Sequence, residues 1–119
     1  ANVVGGASFT IGAEGASRVI AIQLNDANGN AIAQRASVLA YLSDDAEGDD
    51  IAATAPTTVA AGTDGVYMPI ITGKMFNLVS EVDGDIDLEI TEAGADTWYL
   101  NVILPDGSIV TSAAIDFAA

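Results

Sequence analysis

The feature that most constrains the fold is a two-residue alternation of apolar and polar side chains, which recurs along the chain. Its clearest instance is Ile86, Leu88 and Ile90, each followed by a polar residue. Successive side chains of a β-strand point to opposite faces, so this spacing indicates a strand with one buried face and one wet face. No long window has a helical period. The Ala-rich stretches also carry Gly, Thr and Pro, which disfavour a stable helix. The sequence therefore predicts an all-β chain.

Turn residues divide the alternating segments into short strands. The predicted strands cover 17–24, 36–42, 66–71, 76–82, 86–91, 97–104 and 108–117, with one short strand within 51–63. Asn28-Gly29 predicts a hairpin after the first of these, because both residues tolerate positive φ. Pro69 predicts a sheet edge, since proline cannot donate to a ladder. Seven to eight antiparallel strands at this spacing are typical of an immunoglobulin-like β-sandwich.

The length of 119 residues fits one domain. We expect residues 1–15 to form an extended N-terminal arm or edge strand, in which Phe9 and Ile11 share a face, and residues 16–119 to form the sandwich. The first residues lack a basic segment followed by an apolar run, so no signal peptide is expected. The apolar runs are also too short to predict a transmembrane helix.

The charge balance is strongly acidic. Seventeen Asp and Glu stand against three Lys and Arg, which gives a formal net charge of −14. Nucleic-acid binding needs clusters of Lys and Arg, and an anionic membrane surface attracts the same residues. We therefore expect neither nucleic acid nor membrane as a partner. The acidic surface would either attract cations and basic surfaces or serve only as a solvated face.

The residue types that carry most enzyme chemistry are missing. The chain has no His and no Cys, which excludes Ser-His-Asp triads, Cys-His pairs and nearly every zinc site. Paired carboxylates could hydrolyse glycosides, but a β-sandwich of this size rarely forms the deep cleft required. We expect a non-enzymatic protein without catalytic or cofactor-binding residues.

Calcium is the one cofactor that the sequence leaves open, because hard cations bind clustered oxygen ligands. Three clusters of oxygen-bearing side chains surround glycines: Asp44, Asp45, Glu47, Asp49 and Asp50 around Gly48; Asp83, Asp85 and Asp87 around Gly84; and Asp26, Asn28 and Asn30 around Gly29. Asp, Asn and Gly also favour turns for backbone reasons, and turns are the interpretation we prefer. No cluster completes a twelve-residue calcium loop, so no metal ligand is predicted, and the loop 43–50 is the strongest exception.

Four aromatic residues could form a sugar-binding platform. They are Tyr41, Tyr67, Trp98 and Tyr99. So few rings suit the core and the corners of a sandwich better than a lectin surface. We therefore expect core and corner positions for them.

Two segments resemble bacterial immunoglobulin-like domains of the invasin type. Val19–Leu24 followed by Asp26–Ile32 looks like the strand, Asn-Gly turn and strand at the start of such a domain, although Ala31 stands where proline is usual. Glu92–Tyr99 looks like the corner before the penultimate strand. The resemblance implies either that Tyr99 bonds back across that corner or that Trp98 packs inward while Tyr99 faces out.

The whole chain is similar to small acidic virion proteins of tailed bacteriophages, among them head decoration proteins. The Ala- and Gly-rich start, Tyr41–Asp45, and Asp83–Asp87 leading into Trp98-Tyr99 carry this resemblance. It implies a virion structural protein that binds and stabilises the capsid surface, with the major capsid protein or other virion subunits as partners. Residues 1–11 are the candidate contact element, and homo-oligomers are possible. The alternative is a binding module of a cell-surface adhesin or carbohydrate-binding protein.

Overall fold

Ten β-strands form the secondary structure of this computed structural model, which describes residues 4–15 and 17–117. They are β1 (Gly6–Ile11), β2 (Ser17–Asn25), β3 (Ser37–Ser43), β4 (Thr58–Ala61), β5 (Val66–Ile71), β6 (Met75–Val79), β7 (Asp85–Thr91), β8 (Asp96–Ile103), β9 (Ile109–Thr111) and β10 (Ile115–Phe117). No segment of the described chain forms a helix that could span a bilayer.

The strands build two antiparallel sheets packed face to face. The first sheet has the order β1-β2-β7-β4, and the second has the order β10-β8-β3-β6-β5, with β9 also paired to β8. These orders correspond to the ABED and GFC sheets of immunoglobulin domains, with two further strands beyond C. The predicted fold class, an all-β immunoglobulin-like sandwich, is confirmed. One departure is that β4 comes before β5 and β6 in the chain.

The core lies between the sheets and is made by the inward-facing half of each alternating strand. Ile20, Ile22, Leu88 and Ile90 of the first sheet are fully buried. On β8, Trp98 donates a hydrogen bond from Nε1 to the Thr54 carbonyl oxygen, 3.1 Å away. Its ring also packs edge-to-face on Phe117, with 6.0 Å between ring centroids. The predicted inward face of β8 is therefore confirmed.

The Asn28-Gly29 turn forms, but it does not join two paired strands. Gly29 has φ +85°, and Asn25 bridges Ala31 across the turn. The strands on either side, β2 and β3, then enter opposite sheets. The predicted hairpin is therefore wrong. Ile32, whose N–H bonds to the Leu24 carbonyl at 3.2 Å, is buried and directs the chain across the core.

The predicted strand 108–117 is broken by an extra residue. Asn101 pairs with Thr111, whereas Trp98 pairs with Ile115, so three steps along β8 face four steps on the other strand. This bulge reverses the side-chain alternation. Ile109 is therefore 47% exposed while Ile115 is buried, and the prediction that they share one face is wrong.

The predicted strand 76–82 ends earlier, at Val79 of β6. The next residues leave the second sheet, because the Glu81 N–H bonds to the Asp85 carbonyl at 2.9 Å and starts the turn into β7. Val82 is consequently 62% exposed. The prediction for Pro69 is confirmed, since β5 is an edge strand and its register shifts next to Pro69.

Residues 6–11 pair along their whole length with β2 at the edge of the first sheet. Phe9 and Ile11 pack against the core from this strand. The first three residues of the expected arm, together with residues 16, 118 and 119, lie outside the described residues.

Candidate interaction face

The outward-facing side chains of the second sheet form rows across its strands. These rows are Met68, Asn77, Leu39, Ile103 and Ile109; Val66, Val79 and Ser37; and Ile71, Met75, Tyr41, Asn101 and Thr111. Strands spaced about 4.8 Å apart make the five-strand row roughly 19 Å wide. We call this surface the uncharged face.

No Asp, Glu, Lys or Arg occurs in β3, β5, β6 or β9. Instead, large apolar side chains are open to solvent at the β5 edge: Val66 is 43% exposed, Met68 44%, Ile70 59% and Ile71 48%. A contiguous apolar surface on a soluble domain marks an interaction site more often than scattered apolar residues do.

The outer face of the first sheet has the opposite character. Asp85, Asp87 and Glu89 point outward from β7 and alternate with three buried apolar residues. We call this surface the acidic face. Since the two sheets pack against each other, the acidic face and the uncharged face lie on opposite sides of the molecule.

One end of the uncharged face is covered by residues 43–50, the acidic loop. Gly48 is buried against the sheet, and the Tyr41 hydroxyl donates a hydrogen bond to its carbonyl oxygen. The Asn101 amide donates from Nδ2 to Ser43 Oγ at 2.9 Å, and Thr111 Oγ1 donates to Asn101 Oδ1 at 2.7 Å. Tyr41, Asn101 and Thr111 of the third row therefore hold the loop, whereas the rows that contain Met68 and Val66 stay open.

Burial is the main cause that raises the pKa of Tyr41, and the neighbouring Asp49 and Asp45 carboxylates raise it further. A raised pKa keeps the phenol protonated, so it remains a donor to the Gly48 carbonyl. Tyr41 and the acidic loop thus belong to one structural unit, although nothing in the sequence connects them.

Two carboxylates of the acidic loop accept hydrogen bonds from backbone N–H groups, one within the loop and one just after it. Asp45 Oδ1 accepts from the Gly48 N–H at 3.2 Å, and Asp44 Oδ2 accepts from the Ala53 N–H at 3.1 Å. Within residues 4–15 and 17–117, no group of three or more acidic, His or Cys side chains is arranged to hold a metal ion. Calcium therefore stays the open alternative to the turn interpretation that we prefer.

The cluster around Gly29 closes a turn. Asp26 Oδ1 accepts hydrogen bonds from the N–H groups of Asn28, at 2.9 Å, and Asn30, at 3.1 Å. Asp26 is itself 7% exposed. This is the backbone role for which Asp is favoured in turns.

The cluster around Gly84 joins a carboxylate that the sequence analysis did not include, Asp64. Desolvation, followed by repulsion from Asp87 and Glu81, raises the pKa of Asp64. Desolvation, followed by repulsion from Asp83 and Asp64, raises the pKa of Asp85. The interaction between the Asp64 and Asp85 side chains lowers the pKa of Asp64 and adds to the rise in the pKa of Asp85.

The four aromatic residues do not assemble into a platform. Trp98 is 1% exposed and Tyr41 9%, while Tyr67 packs on Phe76 with 5.1 Å between ring centroids. Tyr99 lies on the outward side of β8 and Trp98 on the inward side, which is the second of the two predicted arrangements. No pocket is found in the part of the chain that the structure describes.

Sequence reasoning did not identify the uncharged face, although a signal for it was present. In 36–42, Leu39 and Tyr41 make the second side of the strand apolar as well, which fits either a strand covered on both sides or one near an interface. The absence of charge from three further segments, 66–71, 75–79 and 109–111, is equally visible in the sequence. What the sequence could not show is that these segments are neighbours in one sheet.

The chain matches no protein-family model, and no curated protein matches it. Among solved structures, it is similar to a cohesin module from a Clostridium perfringens ATCC13124 family 33 glycoside hydrolase. That likeness has a TM-score of 0.46 and 15% sequence identity, and it covers 98% of this chain and 96% of the cohesin chain. Identity at this level says nothing about a shared partner.

Proposed function

We propose that this chain is a non-enzymatic protein-binding module that docks onto a partner protein through the uncharged face. The observation that carries the proposal is the separation of charge. The chain has seventeen Asp and Glu, yet four of the strands that build one face have none.

Desolvation explains why this face suits binding. A carboxylate that enters an interface without a partner costs several kcal/mol. Apolar surface removed from water contributes about 25 cal/mol per Å² in favour of binding. The acidic face with Asp85, Asp87 and Glu89 would oppose burial, whereas Met68 and its neighbours would favour it.

The finer proposal is that the module decorates the capsid of a tailed bacteriophage. The sequence resemblance through Tyr41–Asp45 and Asp83–Asp87 supports it. The partner is then the major capsid protein or another virion subunit, and the location is the capsid surface. A ligand that binds only the assembled shell stabilises it by mass action, by about 2.7 kcal/mol when its concentration is 100 times the Kd. The acidic face points to solvent in this arrangement.

The N-terminal arm is a second proposed contact. Residues 6–11 already pair with β2, and Val4 is buried in the core. Deleting residues 1–11 would therefore remove part of the sandwich along with the arm. A truncation of residues 1–3 tests the arm and leaves both in place, and unchanged binding by this truncated chain would contradict a contact role for these residues.

The experiment that tests the capsid role is co-sedimentation of the purified protein with phage shells that lack it, with and without calcium. The shells are then challenged by heat or low salt. The proposal predicts saturable binding and a larger surviving fraction of shells. The absence of binding at every ionic strength would contradict the capsid role.

A further inference from the structure

Carboxylates border the uncharged face at both ends of its strands. At one end the acidic loop presents the exposed side chains of Glu47, Asp49 and Asp50. At the other end lies the turn after β8, with the exposed Asp106. The segment that leads from β6 into the first sheet also begins there, with the exposed Asp83 and with Glu81, whose Oε2 accepts from the Gly65 N–H at 3.2 Å. Each end also has one cation, Lys74 directly before β6 and Arg35 two residues before β3. Lys74 Nζ donates to the Ala53 carbonyl oxygen at 2.9 Å. Carboxylates outnumber the cation at each end, so the apolar surface has a net acidic rim at either end of its strands.

We propose that the partner surface for the uncharged face is apolar at its centre and basic at its rim, and that a second copy of this chain is not the partner. This inference rests on the proposed function, since it names the chemistry of the partner that the same face would bind. Charge complementarity around an apolar centre is the arrangement that favours one partner and suppresses others.

A second copy is disfavoured in either orientation. Two copies packed with their strands parallel would bring acidic loop onto acidic loop. Two copies packed antiparallel would bring the acidic loop onto Glu81, Asp83 and Asp106. Like charges within a screening length, about 8 Å at physiological salt, repel in both arrangements, and the net charge of −14 adds to the repulsion.

A basic rim would meet favourable charge at both ends. Asp44 and Asp45 are occupied by backbone N–H groups of the loop region. Glu47, Asp49 and Asp50 are exposed and are the loop carboxylates that Lys or Arg on a partner would meet. Their contribution would steer association and weaken with salt, while the apolar rows would supply the salt-independent part.

A synthetic peptide provides a probe that does not depend on the capsid. It has four Leu residues flanked by three Lys at each end, and a matched peptide carries Glu in place of Lys. Backbone amide shifts of the isotope-labelled protein are followed during titration with each. We expect the Lys peptide to perturb Leu39, Asn77 and Ile103 and the acidic loop, and the Glu peptide to perturb nothing.

A loop variant tests the rim directly. Glu47→Gln, Asp49→Asn and Asp50→Asn together should weaken binding of the Lys peptide roughly 3- to 100-fold at low salt, the range expected for three exposed ion pairs. The difference should vanish at high salt.

Three results would overturn the inference: shifts centred on Asp85, Asp87 and Glu89; equal or absent binding of the two peptides; or a dimer of the protein alone that Met68→Lys dissociates. A different result would contradict only the capsid role: the protein fails to bind shells, but the Lys peptide binds the uncharged face. The inferred chemistry of the partner surface would then still be supported.

Discussion

A Cβ atom on Gly48 would lie 2.3 Å from Oδ1 of Asn101, so the acidic loop can rest on the second sheet because residue 48 has no side chain. Asn101 cannot move away easily. Its amide donates to Ser43 Oγ and to the carbonyl oxygens of Tyr41 and Tyr99. This contact fixes where the acidic border of the uncharged face lies.

Gly48→Ala should therefore destabilise the fold by about 1–3 kcal/mol, because it adds a steric clash to a positive φ of 64°. Denaturant unfolding measures the loss. Gly29→Ala is the matched control, since Gly29 also has a positive φ but nothing lies within 4 Å of the added Cβ. Equal losses at the two positions would mean that the loop does not pack on Asn101.

Asn101→Ala should cost about 2–4 kcal/mol, because Asn101 is fully buried and its loss leaves several polar partners without hydrogen bonds. Tyr41 should become more accessible to a fluorescence quencher as the acidic loop detaches. The control is Asn77→Ala, the same change at a half-buried position of the same face. A Tyr41 that stays protected in Asn101→Ala would contradict the role assigned to this side chain.

Asp85→Asn should raise the melting temperature at pH 7 by a few degrees. Desolvation and the neighbouring Asp83 and Asp64 raise the pKa of Asp85 above its value in the unfolded chain. The stability contributed by the protonated form is thus complete below the unfolded pKa of 3.8 and is lost as pH rises through the folded pKa. Melting curves from pH 3 to 8 should converge at the acidic end, and a wild-type advantage at pH 7 would exclude this account.

Asp106→Asn should have the opposite sign. Ser108 donates to Asp106 Oδ1 from its hydroxyl, at 2.6 Å, and from its N–H, at 2.9 Å, and the hydroxyl bond is the main cause that lowers the pKa of Asp106. A lowered folded pKa gives stability that is present above the unfolded value and is lost as pH falls through the folded one. Asp106→Asn should therefore melt slightly earlier than the wild type at pH 7 and together with it at low pH. A higher melting temperature for Asp106→Asn than for the wild type at pH 7 would contradict a stabilising role for the hydrogen bonds from Ser108 to Asp106.

The sequence predicted the strands whose alternation is unbroken. Along β7 and β8 each apolar residue at spacing two is buried, and the edge position of β5 followed from Pro69 alone. The sequence-based prediction failed where the result of a local pattern depends on contacts with distant residues. The Asn28-Gly29 turn formed, with positive φ at Gly29 and not at Asn28, but the strands on either side of it lie in opposite sheets.

The uncharged face could not be predicted from the sequence, because it too depends on contacts between distant segments. Apolar outward positions such as Leu39, Met68 and Ile109 lie far apart in the chain and become one surface through strand pairing. The clusters of Asp, Glu and Asn suggested calcium ligands because their members are close together in the sequence. Asp44, Asp45 and Asp26 serve backbone N–H groups instead, which is the more common use of such residues in turns.

Two substitutions that add the same charge to opposite faces distinguish the binding surface from the rest of the sandwich: Met68→Lys on the uncharged face and Val19→Lys on the other sheet. The native side chains are similarly exposed, at 44% and 39%. Binding to shells that lack the protein is measured by co-sedimentation, with melting curves to verify the fold. We expect Met68→Lys to weaken binding about tenfold or more, because it would bury an unpaired charge, and Val19→Lys to bind like the wild type. Equal binding by both variants, or loss in Val19→Lys alone, would contradict the assignment of the uncharged face as the binding surface.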